Sequence, residues 1–140
     1  MSAEDTRTLV HGWLRQAQEL DFIEMLIAHS APQVIVHSPF GLTGGLATAQ
    51  EMHVQLQRAF PDMTLTLDGE LYSDDRVTLQ FGLEGTNTGP ILGLPPTNRA
   101  IEMPIAFVFR LERERIAEMW FYANVMAPII QQRLAEMGLL

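Results

Sequence analysis

Four histidines carry most of the acid–base potential of this 140-residue chain. Histidine is the one side chain whose ordinary pKa lies near neutrality, so it can act as base or acid without large tuning. His37 stands out, because it closes the β-branched run Val34-Ile35-Val36 and precedes Ser38-Pro39. A strand-end histidine bonded to a backbone carbonyl carries the same local signature, and sequence position alone favours that blander reading. His11 and His53 fall inside helical stretches with polar neighbours, and His29 ends a helix, where an imidazolium would favour the helix dipole. No two histidines have the His-Glu-x-x-His spacing or another zinc spacing, so no metal site is expected. Asn124 follows Trp120-Phe121-Tyr122-Ala123, and Asn87 centres Gly85-Thr86-Asn87-Thr88-Gly89. An amide at either place could hold a water or a carbonyl, although a left-handed or capping asparagine accounts for Asn124 equally well. Asp74-Asp75 read as turn residues, and Glu112 to Arg115 as a solvated hairpin.

Composition removes several chemistries. Every basic residue is Arg, which excludes Schiff-base lysines and a lysine-based phosphate loop. With no Cys there is no disulfide, no thiolate nucleophile and no Cys-ligated zinc, a pattern that fits the cytoplasm. No Gly-x-Ser-x-Gly elbow supports a serine triad. Nine basic against seventeen acidic residues give a net charge of −8, so nucleic acid and anionic lipid are not expected partners. No signal peptide or membrane span is expected from the apolar runs. A chain of this length is expected to form one domain over residues 1–140 and to bury roughly 70% of its unfolded surface.

The elements that would position these residues are legible from periodicity. Leu9, Val10, Trp13, Leu14, Ala17 and Leu20 form one stripe, predicting a helix over 1–20, with Ser2 and Asp5 as its start signal. Asp21 caps a second short helix that Pro32 is expected to end. Val34 to His37 reads as a strand, Gly41, Gly44 and Gly45 as a loop, and Thr48 with Glu51 as the capping box of a third helix ending near Phe60. Strands then alternate over Thr64 to Leu71, Val77 to Glu84, 101–109 and 116–123, with a Gly/Pro-rich loop from Gly89 to Pro96. Pro128 opens a last helix. Helices followed by an antiparallel meander make an α+β pattern. The last two strands are apolar on both faces, and helices can cover only one face. A second copy is the expected cover for the other, so the chain is expected to be a homodimer.

Five blocks then carry a resemblance. Ala59-Phe60-Pro61-Asp62, Asp75-Arg76-Val77, Gly85-Thr86-Asn87-Thr88-Gly89, Gly93-Leu94-Pro95-Pro96-Thr97 and Glu118-Met119-Trp120 resemble the SnoaL-like polyketide (ester) cyclases of the nuclear-transport-factor-2-like superfamily. The resemblance covers nearly the whole chain, and the Gly-x-Pro-Pro-Thr block is its most specific part. It implies a cone: a curved mixed or antiparallel sheet wrapped around helices, with an internal apolar pocket. It also implies ring closure by intramolecular aldol condensation without a cofactor, using an acid just after the last-strand Trp and a histidine on the preceding strand. Those two positions hold Phe121 and Phe107 here. The histidine often found before the Trp is Met119, the one in the Gly-Thr-His-Thr-Gly block is Asn87, and a second acid falls at Asn124. Only the first-strand polar position survives, as His37.

These assignments set the expectations for function. Ile105, Phe107, Met119 and Phe121 are expected to form an apolar wall, with Trp13 shaping the pocket and Asn124 and Asn87 as polar supports. His37 is the acid/base candidate. Cofactor-independent cyclisation or isomerisation of a hydrophobic polyketide- or terpenoid-like small molecule is the leading expectation. A non-catalytic ligand-binding member is the alternative. A hydrolase or hydroxylase using Glu102 or Glu118 is the third possibility, although the strand parity of both acids points away from the wall.

Overall fold

The computed structural model describes residues 1–17 and 21–140; Leu20, the end of the expected first helical stripe, lies outside them. Helix α1 (Ala3–Gln16) starts where expected: the Ser2 hydroxyl accepts from Asp5 N, and the Asp5 carboxylate accepts from Ser2 N. Helix α2 (Phe22–Ala28) is capped by Asp21, whose Oδ1 accepts from Ile23 N at 2.8 Å. It ends before Pro32, which lies inside strand β1 (Ser30–His37) where the pairing of that strand is irregular. A two-residue strand β2 (Thr43–Gly44) follows.

Helix α3 (Leu46–Ala59) begins on Gly45 with no side-chain cap, so the Thr48–Glu51 pattern falls inside the helix rather than at its start. Strands β3 (Thr64–Tyr72), β4 (Arg76–Thr86), β5 (Ala100–Glu112) and β6 (Arg115–Ala123) form the antiparallel meander. Helix α4 (Ala127–Glu136) has proline in its first turn, where a missing N–H costs nothing.

The sheet order is β2-β1-β6-β5-β4-β3, with β1 parallel to β6 and the other pairs antiparallel. Among the described residues the fold is an α+β arrangement of four helices on a curved, mixed, unclosed sheet. Register shifts at Ser30/Ile35, Leu67/Gly69 and Arg110/Leu111 supply local bends, because a bulge adds a residue to one strand only.

The sheet has one buried face. Val77, Leu79, Phe81 and Leu83 of β4 alternate with exposed or half-exposed neighbours, and β5 repeats this from Ile101 to Leu111. The helices cover that face and Phe60 seals it at the end of α3. The loop after β4 is held close to α3. A Cβ on Gly89 would lie 1.7 Å from the Arg58 carbonyl oxygen, so only glycine fits this approach. The loop then turns at Leu92 and Gly93, both left-handed, with Ile91 and Leu94 exchanging two backbone hydrogen bonds.

Candidate functional site

The register places the expected wall residues on the inner face. Phe121 pairs with Phe107, and Met119 with Phe109 and Val36. Phe107 is the hub of an aromatic cluster. Its ring lies 4.6 Å from Phe121 edge-on, 5.2 Å from Phe22 and 6.0 Å from Phe81. Phe22, carried in by α2, occupies the space in front of Phe81 and Phe107. The interior is therefore largely filled. Among the described residues, a small and comparatively enclosed apolar space walled by Phe121, Met103, Phe60, Leu56, Met52 and Leu92 measures about 30 Å³, the scale of a single water rather than of a ring system.

A larger apolar groove of about 380 Å³ lies on the open side of the sheet, between the first two helices and β3. Leu14, Ala17, Phe22, Met63, Leu65, Leu67 and Phe81 line it, and Asp21 is its only ionisable wall residue among those described. Phe22 and Phe81 make its floor and connect it to Phe107 behind.

Asp21 is not alone there. Its Oδ1 lies 3.4 Å from Nε2 of His53 on α3, and the His53 side chain is only 11% exposed. Ala49, His53, Leu56 and Phe60 follow one another at steps of four, three and four residues. His53 therefore sits on the inward stripe of α3. That stripe was present in the sequence, and the polar neighbours of His53 hid it. Among the described residues, two buried side-chain polar atoms have no hydrogen-bond partner: His53 Nδ1 and the Tyr72 hydroxyl. Tyr72 lies edge-on to His11 beside Glu70, and burial together with the Glu70 charge pushes its pKa up to about 12. It is a protonated donor. His53 Nδ1 is the different case, a ring nitrogen whose opposite nitrogen already faces a carboxylate.

His37 is elsewhere. Val34 and Val36 are buried, so the next position faces the other way, and His37 pairs in register with Trp120, whose neighbours Met119 and Phe121 point inward. The expectation of an inward-facing His37 is corrected by this parity: its ring lies on the outer face of the sheet. There it stacks on Trp120 at 5.0 Å. Nε2 lies 2.7 Å from Glu118 Oε2 and Nδ1 lies 3.1 Å from the Thr43 hydroxyl. Arg110 Nε donates to the other Glu118 oxygen, and the Arg76 guanidinium covers Trp120 at 5.2 Å. The hydrogen bond with His37 holds the Glu118 carboxyl below the ordinary carboxylate range, and Arg110 adds to the effect. Glu102 is exposed on the same outer face, so both acids point away from the wall, as their parity implies.

The polar supports also differ from expectation. Asn87 is buried, but its amide is fully consumed. Nδ2 donates to the carbonyls of Ala59 and Gly89, and Oδ1 accepts from Thr97 N and the Thr97 hydroxyl. It ties the loop to α3 and has no capacity left for a ligand. Asn124 is exposed, and its Oδ1 accepts from Met126 N at the approach to α4. Trp13 is buried, yet it stacks on His29 at 4.6 Å instead of lining the groove or the enclosed cavity. Burial and the Arg115 charge push His29 down in pKa, the opposite of a dipole-stabilised imidazolium. Ile105 borders a shallow cleft of about 560 Å³ with Pro104, Ala106, Tyr122 and Asn124. No three His, Asp or Glu side chains among the described residues are grouped to share a metal ion.

Residues 8–132 match the SnoaL-like polyketide cyclase pattern. The chain belongs to that family. Among solved structures it is similar to AclR, a candidate hydroxylase from Streptomyces galilaeus, at 22% identity over 99% of this chain and 84% of the other, with a TM-score of 0.74. A candidate SnoaL-like polyketide cyclase from Jannaschia sp. CCS1 gives 21% identity over 86% and 88%, TM-score 0.74. IdmH, a candidate polyketide cyclase from Streptomyces antibioticus, gives 24% over 91% and 97%, TM-score 0.71. No curated protein matches. In this SnoaL-like chain the position directly after the last-strand Trp is Phe121, fully inside the aromatic cluster. No described helix is long and apolar enough to cross a membrane.

Proposed function

We propose that this SnoaL-like protein is an enzyme that acts without a cofactor on a hydrophobic, polyketide- or terpenoid-like small molecule, by cyclisation or isomerisation. The observation that carries the reading is the groove between the first two helices and β3. It has the volume of a small-molecule site, an aromatic floor and, among the described residues, one ionisable wall group, a composition suited to an apolar ligand with a few polar atoms. His37 lies outside this space, so the reading does not assign it the chemistry. A non-catalytic ligand carrier is the second reading, favoured by the hydrocarbon ring of Phe121 at the position where the resemblance implies an acid.

The binding half of the proposal is tested with dihydroxyanthraquinone, a planar tricyclic chromophore of polyketide type, in equilibrium dialysis. One molecule per chain is expected to bind, and Leu67→Asp, on the rim of the groove, is expected to weaken binding at least about tenfold by placing a charge against an apolar ring system. Absence of binding, or equal binding by the variant, removes the groove as the ligand site.

We also propose that a second copy of the chain covers the outer face of the sheet. Thr78, Val108, Trp120 and His37 form one row across four strands of that face, with Gln80, Ala106 and Tyr122 beside it. Tyr122 is 55% exposed and Ile35 40%. The nearby charges of Arg110, Glu112 and Glu118 are already paired within the chain, which leaves apolar surface available for a symmetric contact. Light scattering at micromolar concentration is expected to give twice the chain mass, and Val108→Glu half of that. A wild-type monomer sinks the proposal.

A further inference from the structure

We propose, building on the reading that a second copy covers the outer face of the sheet, that the two copies meet in one register set by charge. In it a two-fold axis crosses the strands over the row Gln80, Ala106 and Tyr122, and Arg76 of each chain lies against Glu84 of the other, with Arg110 against Glu102. The pattern along two neighbouring strands carries the assignment. The outward residues of β4 run Arg76, Thr78, Gln80, Gly82, Glu84, and those of β5 paired with them run Arg110, Val108, Ala106, Pro104, Glu102. Two arginines therefore stand side by side at one end of this ribbon and two glutamates at the other. Both pairs lie four residues from the Gln80–Ala106 pair.

Like charges directly opposite one another on neighbouring strands are destabilising. The chain relieves this cost only in part. Arg110 Nε and Nη1 donate to Glu118 and Glu112. Arg76 covers the Trp120 ring and makes no ion pair among the described residues. Glu84 and Glu102 are exposed, and neither makes an ion pair among the described residues. They line a cleft of about 640 Å³ together with Asp62, whose carboxylate already accepts from Thr86, and no described basic residue lines that cleft. One ribbon thus carries both halves of a complementary surface, too far apart to meet within the chain.

A two-fold axis lying in the interface at right angles to the strands reverses strand direction and keeps each strand over its own copy. Four residues along a strand span about 13 Å. The Arg76 end of β4 then comes over the Glu84 end of the partner's β4, and the Arg110 end of β5 over the partner's Glu102. An axis along the strands would instead stack Arg76 on Arg76 and Glu84 on Glu84. Facing sheets pack about 10 Å apart, a gap that an arginine and a glutamate reaching from opposite sides can close. Shape follows the same register. Two residues from the axis, Thr78 and Val108 of one chain face Gly82 and Pro104 of the other, so a taller pair meets a lower one. The cleft of about 560 Å³ beside Pro104 and Ala106 is the space the partner's Val108 enters. On the axis, the exposed ring of Tyr122 meets its own copy, as an isologous contact requires.

Exchange of the charges tests the register. Sedimentation equilibrium gives the dimer dissociation constant of the wild-type protein, Arg76→Glu, Glu84→Arg, the double variant, and an equimolar mixture of the two single variants. Each single variant sets like charges together twice across the axis and is expected to dimerise at least about tenfold more weakly than wild type. The two substitutions move the net charge in opposite directions, so a loss common to both is not an effect of net charge. The double variant and the mixture restore opposite charges across the axis. Both are expected to return to within about threefold of the wild-type constant. Recovery in the mixture, where neither chain has regained its own residue, is a result that a misfolded variant does not give. Single variants that dimerise like wild type, or a mixture that associates no more tightly than its components, overturn the register and leave the second copy on the outer face. A wild-type monomer removes both.

Discussion

Asn87→Ala is expected to lower the stability of the protein by about 4 kcal/mol, each of its four lost hydrogen bonds being worth roughly 1 kcal/mol net. The side chain is 2% exposed and makes four hydrogen bonds between 2.9 and 3.3 Å. Alanine removes all four and strands Thr97 N and the Gly89 carbonyl, which cost more to leave unpaired than the bonds gain on average, while the Ala59 carbonyl keeps the Gly89 N–H. Asn87→Asp is the sharper variant. It keeps an acceptor for Thr97 but turns a carboxylate oxygen toward two carbonyl oxygens, so its cost at neutral pH should exceed that of alanine. The loop held by this amide carries Ile91 and Leu92 onto the enclosed cavity, so the variants should also loosen that wall. Urea unfolding checks the prediction. A loss under about 1 kcal/mol in both variants would show that the amide is not the clamp the geometry describes.

Phe121→Asp is expected to cost several kcal/mol at neutral pH, since large-to-small aromatic truncation alone costs about 3–5 kcal/mol and the new carboxylate has no partner. The ring is 3% exposed and meets Phe107 edge-on at 4.6 Å. Burial raises the pKa of an acid placed there, so the folded state holds the proton more tightly than the unfolded chain does. The electrostatic part of the penalty is then absent below the unfolded value of about 3.9 and grows as the pH rises through the folded-state pKa. The difference in stability between wild type and variant should therefore shrink on acidification. A difference that is constant from acid to neutral pH would place residue 121 in water.

Both variants act on residues whose burial could be read only in part from the chain itself. The period-two alternation of β4, β5 and β6 already assigned Leu79, Phe107, Met119 and Phe121 to one face, because successive strand side chains must point in opposite directions. The helix starts at Ser2, Asp21 and Pro128 were equally legible, since the groups that satisfy a helix terminus lie within three residues of it. The third helix shows the limit of that local grammar. Thr48 and Glu51 have the spacing of a cap, but the helix starts about one turn earlier, on Gly45 and without a side-chain cap.

The sequence by itself determined the α+β pattern and the inward aromatic wall, which rest on short-range periodicity, and the family, which rests on residue identity; that Phe121 stands in place of an acid is what the family resemblance implies. Tertiary structure alone decided the rest. The side of the sheet taken by His37 depends on its parallel pairing with Trp120, which no local pattern encodes. The size of the interior depends on Phe22, because a single ring delivered by a neighbouring helix fills the volume that the wall residues would otherwise enclose. Asn87 changed from ligand support to clamp once its four partners came together from three stretches of chain. The pairing of His53 with Asp21 joins two helices whose contact is set by packing, and packing energy is collected only after the chain has folded back on itself.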